Sequence, residues 1–126
     1  MDKKILQKIV NREALAVWDA LCEIYPALVA YDCPKIVFNG RLWRVAGYCS
    51  QEKNVVELGY KFFTNGKKYA HNMIDTILPH EIIHYADWVL YGESEKICGH
   101  GEKWAEIMVN YGLPADPFHS MRIPKK

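Results

Sequence analysis

The apolar positions of the first thirty residues recur at the spacing of a helix. They lie three or four residues apart between residues 3 and 30 and form a broad stripe. Pro26 is expected to end the first long run, since proline cannot continue a helix, and Asn11 is a candidate cap for a second helix. Trp18 and Tyr25 lie on the stripe, so we expect both to pack in the core. The pattern predicts N-terminal helices.

The hydrophobic period then shortens to that of β-strands. Runs rich in β-branched and aromatic residues cover residues 35–38, 42–49 and 55–60, with polar turns between them. Asn39-Gly40 is typical of a type I′ turn, which predicts that the first two runs form a hairpin. The three runs together predict a small antiparallel sheet.

Helical spacing returns over residues 73–91, after an exposed loop predicted at residues 65–68. Pro79 is compatible with a helix only in or near its first turn, so this helix is expected to start late. Asn72 or Asp75 is the candidate N-cap.

A last helix is predicted over about residues 101–111, with Pro114 and Pro117 ending it and a loosely packed tail over about 114–126. The order of helices, then strands, then helices indicates an α+β fold. The length of 126 residues is that of one domain, so we predict a single domain over residues 1–126.

Composition and charge exclude several classes of protein. Half of the residues are apolar and a quarter are charged, which is typical of a globular chain. The formal net charge of +1 argues against a strong general polyanion binder but allows a local basic patch. No apolar run has the length of a membrane span, so no membrane partner is expected. Without a signal peptide, we interpret the four cysteines as reduced thiols of a cytoplasmic protein.

The segment His80-Glu81-Ile82-Ile83-His84 is an HExxH motif on a predicted helix. Residues i and i+4 lie one turn apart on one side, so both imidazoles can reach the same metal ion. Glu81 is one step round the helix, where a carboxylate can deprotonate a water on that metal. Ile82 and Ile83 are expected to face the core.

A catalytic zinc site normally has a third protein ligand, and several residues are candidates. The metzincin pattern requires Gly and His where this chain has Asp87 and Leu90, so that class is excluded. A gluzincin would use a glutamate on a following helix, such as Glu102 or Glu106. Cys49 is an upstream thiolate candidate of the peptide deformylase kind.

The favoured third ligand is His100, which lies sixteen residues beyond His84. That distance allows the chain to turn back at the helix end, and the flanking Gly99 and Gly101 allow backbone to pass close to the metal. Trp104, four residues later, is expected to pack the last helix against the HExxH helix and hold His100 in place.

The other aromatic and histidine residues have weaker signals. Trp88 is interpreted as a core anchor, and His71 and His119 as surface or capping histidines. Three tyrosines are candidates to polarise a scissile carbonyl: Tyr85, Tyr91 and Tyr111.

These motifs resemble the SprT/Spartan-like metalloproteases. That family carries a helical HExxH followed by a third histidine in an HGxxW/F-type motif, which here corresponds to residues 100–104. The resemblance extends over about residues 36–112. Its upstream parts are the hairpin-like segment Ala46–Ser50 with residues 55–58, and the lead-in at residues 75–78.

The resemblance implies a compact zincin-like domain that works as a zinc-dependent endopeptidase on protein substrates. By position, His80, His84 and His100 would bind one zinc ion, and Glu81 would be the general base. The best-studied members of the family are DNA-dependent proteases, so the resemblance also implies DNA as a partner. This chain lacks the Cys-rich zinc ribbon that the family often carries, and Pro79 replaces the residue usually found before the first histidine.

The alternative hypothesis is a nucleic-acid or protein binding module whose zinc site is structural or vestigial. Basic residues in the first 70 positions can form one face, and aromatic residues between them can stack on unpaired bases. The basic candidates are Lys3, Lys4, Lys8, Lys35, Arg41, Arg44, Lys53, Lys61, Lys67 and Lys68, and the aromatic ones are Trp43, Tyr60 and Tyr69.

Overall fold

The computed structural model describes residues 2–50, 52–92 and 101–114. Helices open and close this part of the chain, and strands lie between them. In chain order the elements are α1 (Lys3–Ile24), a 3₁₀ helix (Pro26–Ala30), β1 (Lys35–Asn39), β2 (Gly47–Ser50), β3 (Val55–Gly59), α2 (Tyr60–Thr64), α3 (Lys67–Asn72), a π-helical segment (Met73–Ile77), α4 (Leu78–Tyr91) and α5 (Glu102–Tyr111).

Helix α1 is a single helix that ends where Pro26 was predicted to end it. Its N-cap is Asp2, whose Oδ1 accepts a hydrogen bond from the N–H of Lys4 at 3.1 Å. Asn11 does not cap a second helix; it lies inside α1, where its Oδ1 accepts from Nε2 of Gln7 at 3.0 Å. The buried stripe of α1 comprises Leu6, Val10, Ala14, Val17, Trp18 and Leu21.

The sheet is mixed, so the prediction of an antiparallel sheet is wrong. In the described residues β1 pairs with β3 in parallel, and β2 pairs with β3 antiparallel on the opposite side. The central strand β3 carries Val56 and Leu58, both fully buried. Pairing both edges of the most apolar strand satisfies its backbone groups, which burial would otherwise leave without partners.

The hairpin predicted at Asn39-Gly40 does not form, because the side chain of Asn39 fixes the end of β1 in another way. Its Nδ2 donates a hydrogen bond to Oε1 of Glu57 at 2.8 Å, across the parallel pair. Its Oδ1 accepts from the N–H of Arg41 at 2.9 Å, which closes a side-chain turn. This residue therefore ties β1 to β3 and not to β2.

Residues 40–46 then carry the chain to the far edge of β3. The carbonyl of Ala46 accepts a hydrogen bond from the N–H of Gly59 at 2.7 Å, next to the β2–β3 pairing. Strand β2 consequently begins at Gly47 and not at residue 42 as predicted.

The third predicted strand ends one residue early. Strand β3 ends at Gly59, and Tyr60 begins the short helix α2, which the sequence pattern did not predict. Burial of two aromatic side chains explains the helix: Phe62 is fully buried, and the ring of Phe63 packs edge-on against Phe38 at 5.4 Å.

The late start of the HExxH helix is confirmed. Pro79 lies in the first turn of α4, and the preceding turn is π-helical. The N–H of Leu78 bonds to the carbonyl of Met73, five residues back. A wider turn accommodates the proline ring and its missing donor without ending the helical path.

Two local predictions around this helix are wrong. Residues 65–68 are not all loop, because Lys67 begins α3 and directs an exposed side chain outward. Asn72 is the last residue of α3 and Asp75 lies in the π-helical segment, so neither caps α4. The polar signals that favoured a loop and a cap instead mark the exposed side of a continuing helix.

Helix α5 matches its predicted range. It ends at Gly112, whose φ of 111° is in the left-handed region. The N–H of Gly112 bonds to the carbonyl of Val109 at 3.0 Å, and that of Leu113 to Met108 at 2.9 Å, which is a Schellman ending. The ending therefore precedes Pro114. The predicted tail beyond residue 114 and Pro117 lie outside the described residues.

Helix α4 lies at the centre of the fold, in contact with α1, the 3₁₀ helix, β2, β3 and α5. Ile82 and Ile83 are fully buried, as predicted, and Trp18 is also in the core. The α+β class is thereby confirmed. Across residues 2–50, 52–92 and 101–114, no helix has the length and hydropathy that a membrane span requires.

Candidate metal centre

The HExxH side chains are buried together on α4. His80 is 3% exposed, Glu81 is 5% exposed and His84 is 7% exposed. The two imidazole rings lie 4.9 Å apart at an angle of 72°, as expected for positions one helical turn apart. Burial of two imidazoles and a carboxylate in one place is costly unless they bind a ligand or one another.

The possible ligand atoms of these three residues converge. One nitrogen from each histidine and one oxygen of Glu81 all lie within 4.8 Å of one another. Nε2 of His80 is 3.9 Å from Oε2 of Glu81. Imidazole nitrogens and a carboxylate oxygen are the donors that zinc takes in proteins, so the residues present fit a divalent metal.

Trp104 of α5 forms the wall behind both imidazoles. It is 1% exposed, lies parallel to the ring of His84 at 5.4 Å and meets His80 edge-on at 5.0 Å. We predicted that Trp104 packs α5 against α4. The structure adds that it contacts both imidazole rings directly, which restricts their orientation.

Burial sets the protonation of the carboxylate. It raises the pKa of Glu81 from 4.5 to about 8 in the metal-free chain, because a charged carboxylate is poorly solvated there. Burial also raises the pKa of Cys49 to about 12, with a smaller contribution from the charge of Glu81. A divalent cation between the histidines would favour the ionised form of Glu81.

The structure separates the candidates for the third ligand. His100 lies outside the described residues, so its role stays a prediction. Glu102 and Glu106 are exposed on α5, and neither belongs to the group of converging ligand atoms found in the described chain. Cys49 is half-buried in β2 and is likewise not a member of that group.

The remaining histidines and tyrosines occupy different surroundings. His71 is exposed on α3, in agreement with a surface role, and His119 lies outside the described residues. Tyr85 is buried against Trp18, with ring centroids 5.7 Å apart. The other two tyrosines are half-buried near the ends of α4 and α5: Tyr91, under the ammonium of Lys103 at 5.1 Å, and Tyr111.

Two residues near the site have features that the sequence analysis did not assign. Asp87 is 1% exposed and follows His84 by three positions, on the side of α4 that carries both histidines. Its position seven residues after His80, which is two helical turns, could have indicated from the sequence that it lies on the same side of the helix as the histidines. Gly47 lies directly against the side chain of Glu81, a contact that no sequence pattern indicates.

Two of the basic residues that we assigned to a nucleic-acid face cover aromatic rings. The ammonium of Lys3 lies 4.8 Å from the ring centre of Tyr60, and the guanidinium of Arg44 lies 4.8 Å from that of Trp43. Arg44 is exposed on the connection that leads into β2.

The sequence model of the SprT-like family matches residues 29–119 of the chain. No curated protein and no solved structure matches the chain. The matched range contains the sheet, the HExxH helix and α5, and therefore all the described residues of the candidate metal centre. On this evidence the chain belongs to the SprT-like family.

Proposed function

We propose that this protein is a zinc-dependent endopeptidase. The observation that carries the proposal is the convergence of His80, Glu81 and His84 in a buried group on α4, whose ligand atoms lie within 4.8 Å of one another. Membership of the SprT-like family supports a metallopeptidase-like domain. Zinc is the metal proposed, because the donors are imidazole nitrogens with a carboxylate beside them.

Each residue has a distinct proposed role. His80 and His84 hold the ion, and His100 is the proposed third ligand. When bound, zinc supplies an acidified water and polarises the peptide carbonyl. Glu81 accepts a proton from the attacking water and delivers it to the leaving amine. The low exposure of Glu81 supports this role, because a desolvated carboxylate is a stronger base than one in bulk water.

Strand β2 offers a place for an extended polypeptide substrate. In the described sheet it pairs on one side only, with β3, and Gly47 at its start touches Glu81. A peptide that adds to the other edge would bond through its backbone and pass close to the carboxylate. This arrangement supports cleavage within unfolded or extended segments.

The test is cleavage of an unfolded protein, such as casein, by the zinc-loaded chain. Wild type is expected to cleave, and Glu81→Gln is expected to keep zinc while losing at least about 100-fold in rate. The matched control is Glu106→Gln, which makes the same change at an exposed position on α5 and should cleave like wild type. A Glu81→Gln variant that cleaves normally would contradict the proposal.

A second candidate is a nucleic-acid binding role, alone or together with proteolysis. The observation that favours it is the exposed Arg44 over Trp43, because a cation beside an aromatic face suits stacked, unpaired bases. The measurement is binding of single-stranded DNA at increasing salt, for wild type and Trp43→Ala. Binding that does not weaken with salt would contradict an electrostatic interface.

Among the described cysteines, Cys22, Cys33 and Cys49 are free thiols. Thiols persist in reducing compartments, which supports the proposal that the protein works in the cytoplasm.

A further inference from the structure

The backbone of β2 lies against the stem of the proposed general base. A β-carbon at Gly47 would lie 2.9 Å from Cγ of Glu81 and 3.1 Å from Cγ2 of Ile77. Real β-carbons are essentially never found as close as the first of these distances. Only a residue without a side chain therefore fits between the strand and this part of α4.

Neither the backbone of β2 nor the helix that carries Glu81 can easily move away from this contact. The strand is held by the bond from the N–H of Gly59 to the carbonyl of Ala46, at 2.7 Å, and by its pairing with β3. The helix is held by Ile77 and Ile82, both fully buried. An added β-carbon would therefore be accommodated by the side chain of Glu81, which would rotate away.

We propose that Gly47 is a positioning residue that fixes the carboxylate of Glu81 beside the two histidines. The inference rests on the proposed peptidase function for its kinetic part and on packing alone for the rest. In this proposal Gly47 contributes no group to the reacting atoms and acts only through Glu81. Its contribution is the absence of a side chain, which leaves room for the rotamer of Glu81 that lies against β2.

The kinetic test is Gly47→Ala, with zinc content measured on the same sample. We expect zinc binding to be kept, because neither histidine is displaced. The kcat for casein should fall about 10–100-fold, with KM changed less than about threefold, since the general base is misplaced while substrate binding is intact.

The matched control is Gly59→Ala in the neighbouring strand. There the added β-carbon would lie 2.7 Å from Cδ2 of Phe62 and 3.3 Å from the carbonyl oxygen of Ala46, so it is at least as crowded, but none of its three nearest atoms belongs to Glu81. This variant should lose thermal stability and keep its kcat at temperatures where it is folded. Equal losses of kcat in both variants would overturn the proposal.

A packing test stands independently of catalysis. Gly47→Ala is expected to lower the Tm by on the order of 5–10 °C, because it overpacks a buried contact. In a Glu81→Ala background the clashing Cγ is gone, so the same substitution should lower the Tm by less than about half as much.

Equal drops in Tm in the two backgrounds would overturn the inference. If Gly47→Ala alone does not fold, folding of the double variant with Glu81→Ala supports it and failure of both overturns it. If wild type lacks peptidase activity, the proposed function fails, while the Tm comparison still decides whether Gly47 positions Glu81.

Discussion

Replacing Glu81 by Gln should make the metal-free protein more stable at neutral pH. The carboxyl is 5% exposed, and burial raises its pKa from 4.5 to about 8. A glutamine has nearly the same shape as the protonated acid but cannot ionise. The substitution therefore removes the cost of keeping an ionisable group in a poorly solvating place.

The raised pKa of Glu81 also determines how the stability of the wild type changes with pH. Because the folded pKa is the higher one, the folded chain retains a proton that the unfolded chain releases between pH 4.5 and about 8. The free energy of unfolding of the wild type therefore falls as pH rises through this window. At about 1.4 kcal/mol per pH unit, the loss on reaching pH 7 is on the order of 3 kcal/mol.

The assay is urea unfolding of both proteins after removal of metal by chelation, at pH 4.5 and at pH 7. The Gln variant should be more stable by on the order of 3 kcal/mol at pH 7 and nearly equal to wild type at pH 4.5. Glu106→Gln, at an exposed site, should show neither effect.

A stability difference that is the same at both pH values would refute this reasoning. So would a wild type that is the more stable protein at pH 7 without metal. With zinc bound, the advantage of Gln should shrink, because the cation favours the ionised carboxylate of the wild type.

Two further substitutions test the surroundings of the site. Trp104→Ala should lower the free energy of unfolding by about 3–5 kcal/mol and weaken zinc binding, since the ring is 1% exposed and contacts both imidazoles. Urea unfolding and a zinc titration measure these two effects. The control is Leu15→Ala, because that side chain is 55% exposed. Gly112→Ala should lower the free energy of unfolding by about 1–2 kcal/mol, because φ at this position is 111°. Gly40→Ala should lower it by less, because an added β-carbon there would meet nothing within 4 Å. Equal effects of the two substitutions would contradict the left-handed ending of α5.

Features fixed by local chemistry were predictable from the sequence. Pro26 ends α1 and Pro79 delays α4, because each acts through its own ring and missing donor. The HExxH spacing places His80 and His84 one turn apart on any helix, so their juxtaposition followed from the sequence alone.

Features that depend on distant contacts were not predictable. The Asn39-Gly40 turn signal was strong, yet Asn39 bonds to Glu57, and β1 pairs with β3 in parallel. The packing of α5 on α4 through Trp104 was predicted, but its contacts with both imidazoles were not, because periodicity does not specify which rings meet. The contact of Gly47 with Glu81 was not predictable either, because a glycine in a sequence does not show which distant side chain lies against it.

The most direct measurement is the zinc content of the purified protein, for wild type, His84→Ala and His71→Ala. We expect about one zinc ion per chain in wild type and in His71→Ala, whose histidine is exposed on α3, and almost none in His84→Ala. His100→Ala in the same series tests the third ligand. Wild type without zinc after reconstitution, or His84→Ala with a full complement, would contradict a metal centre on α4.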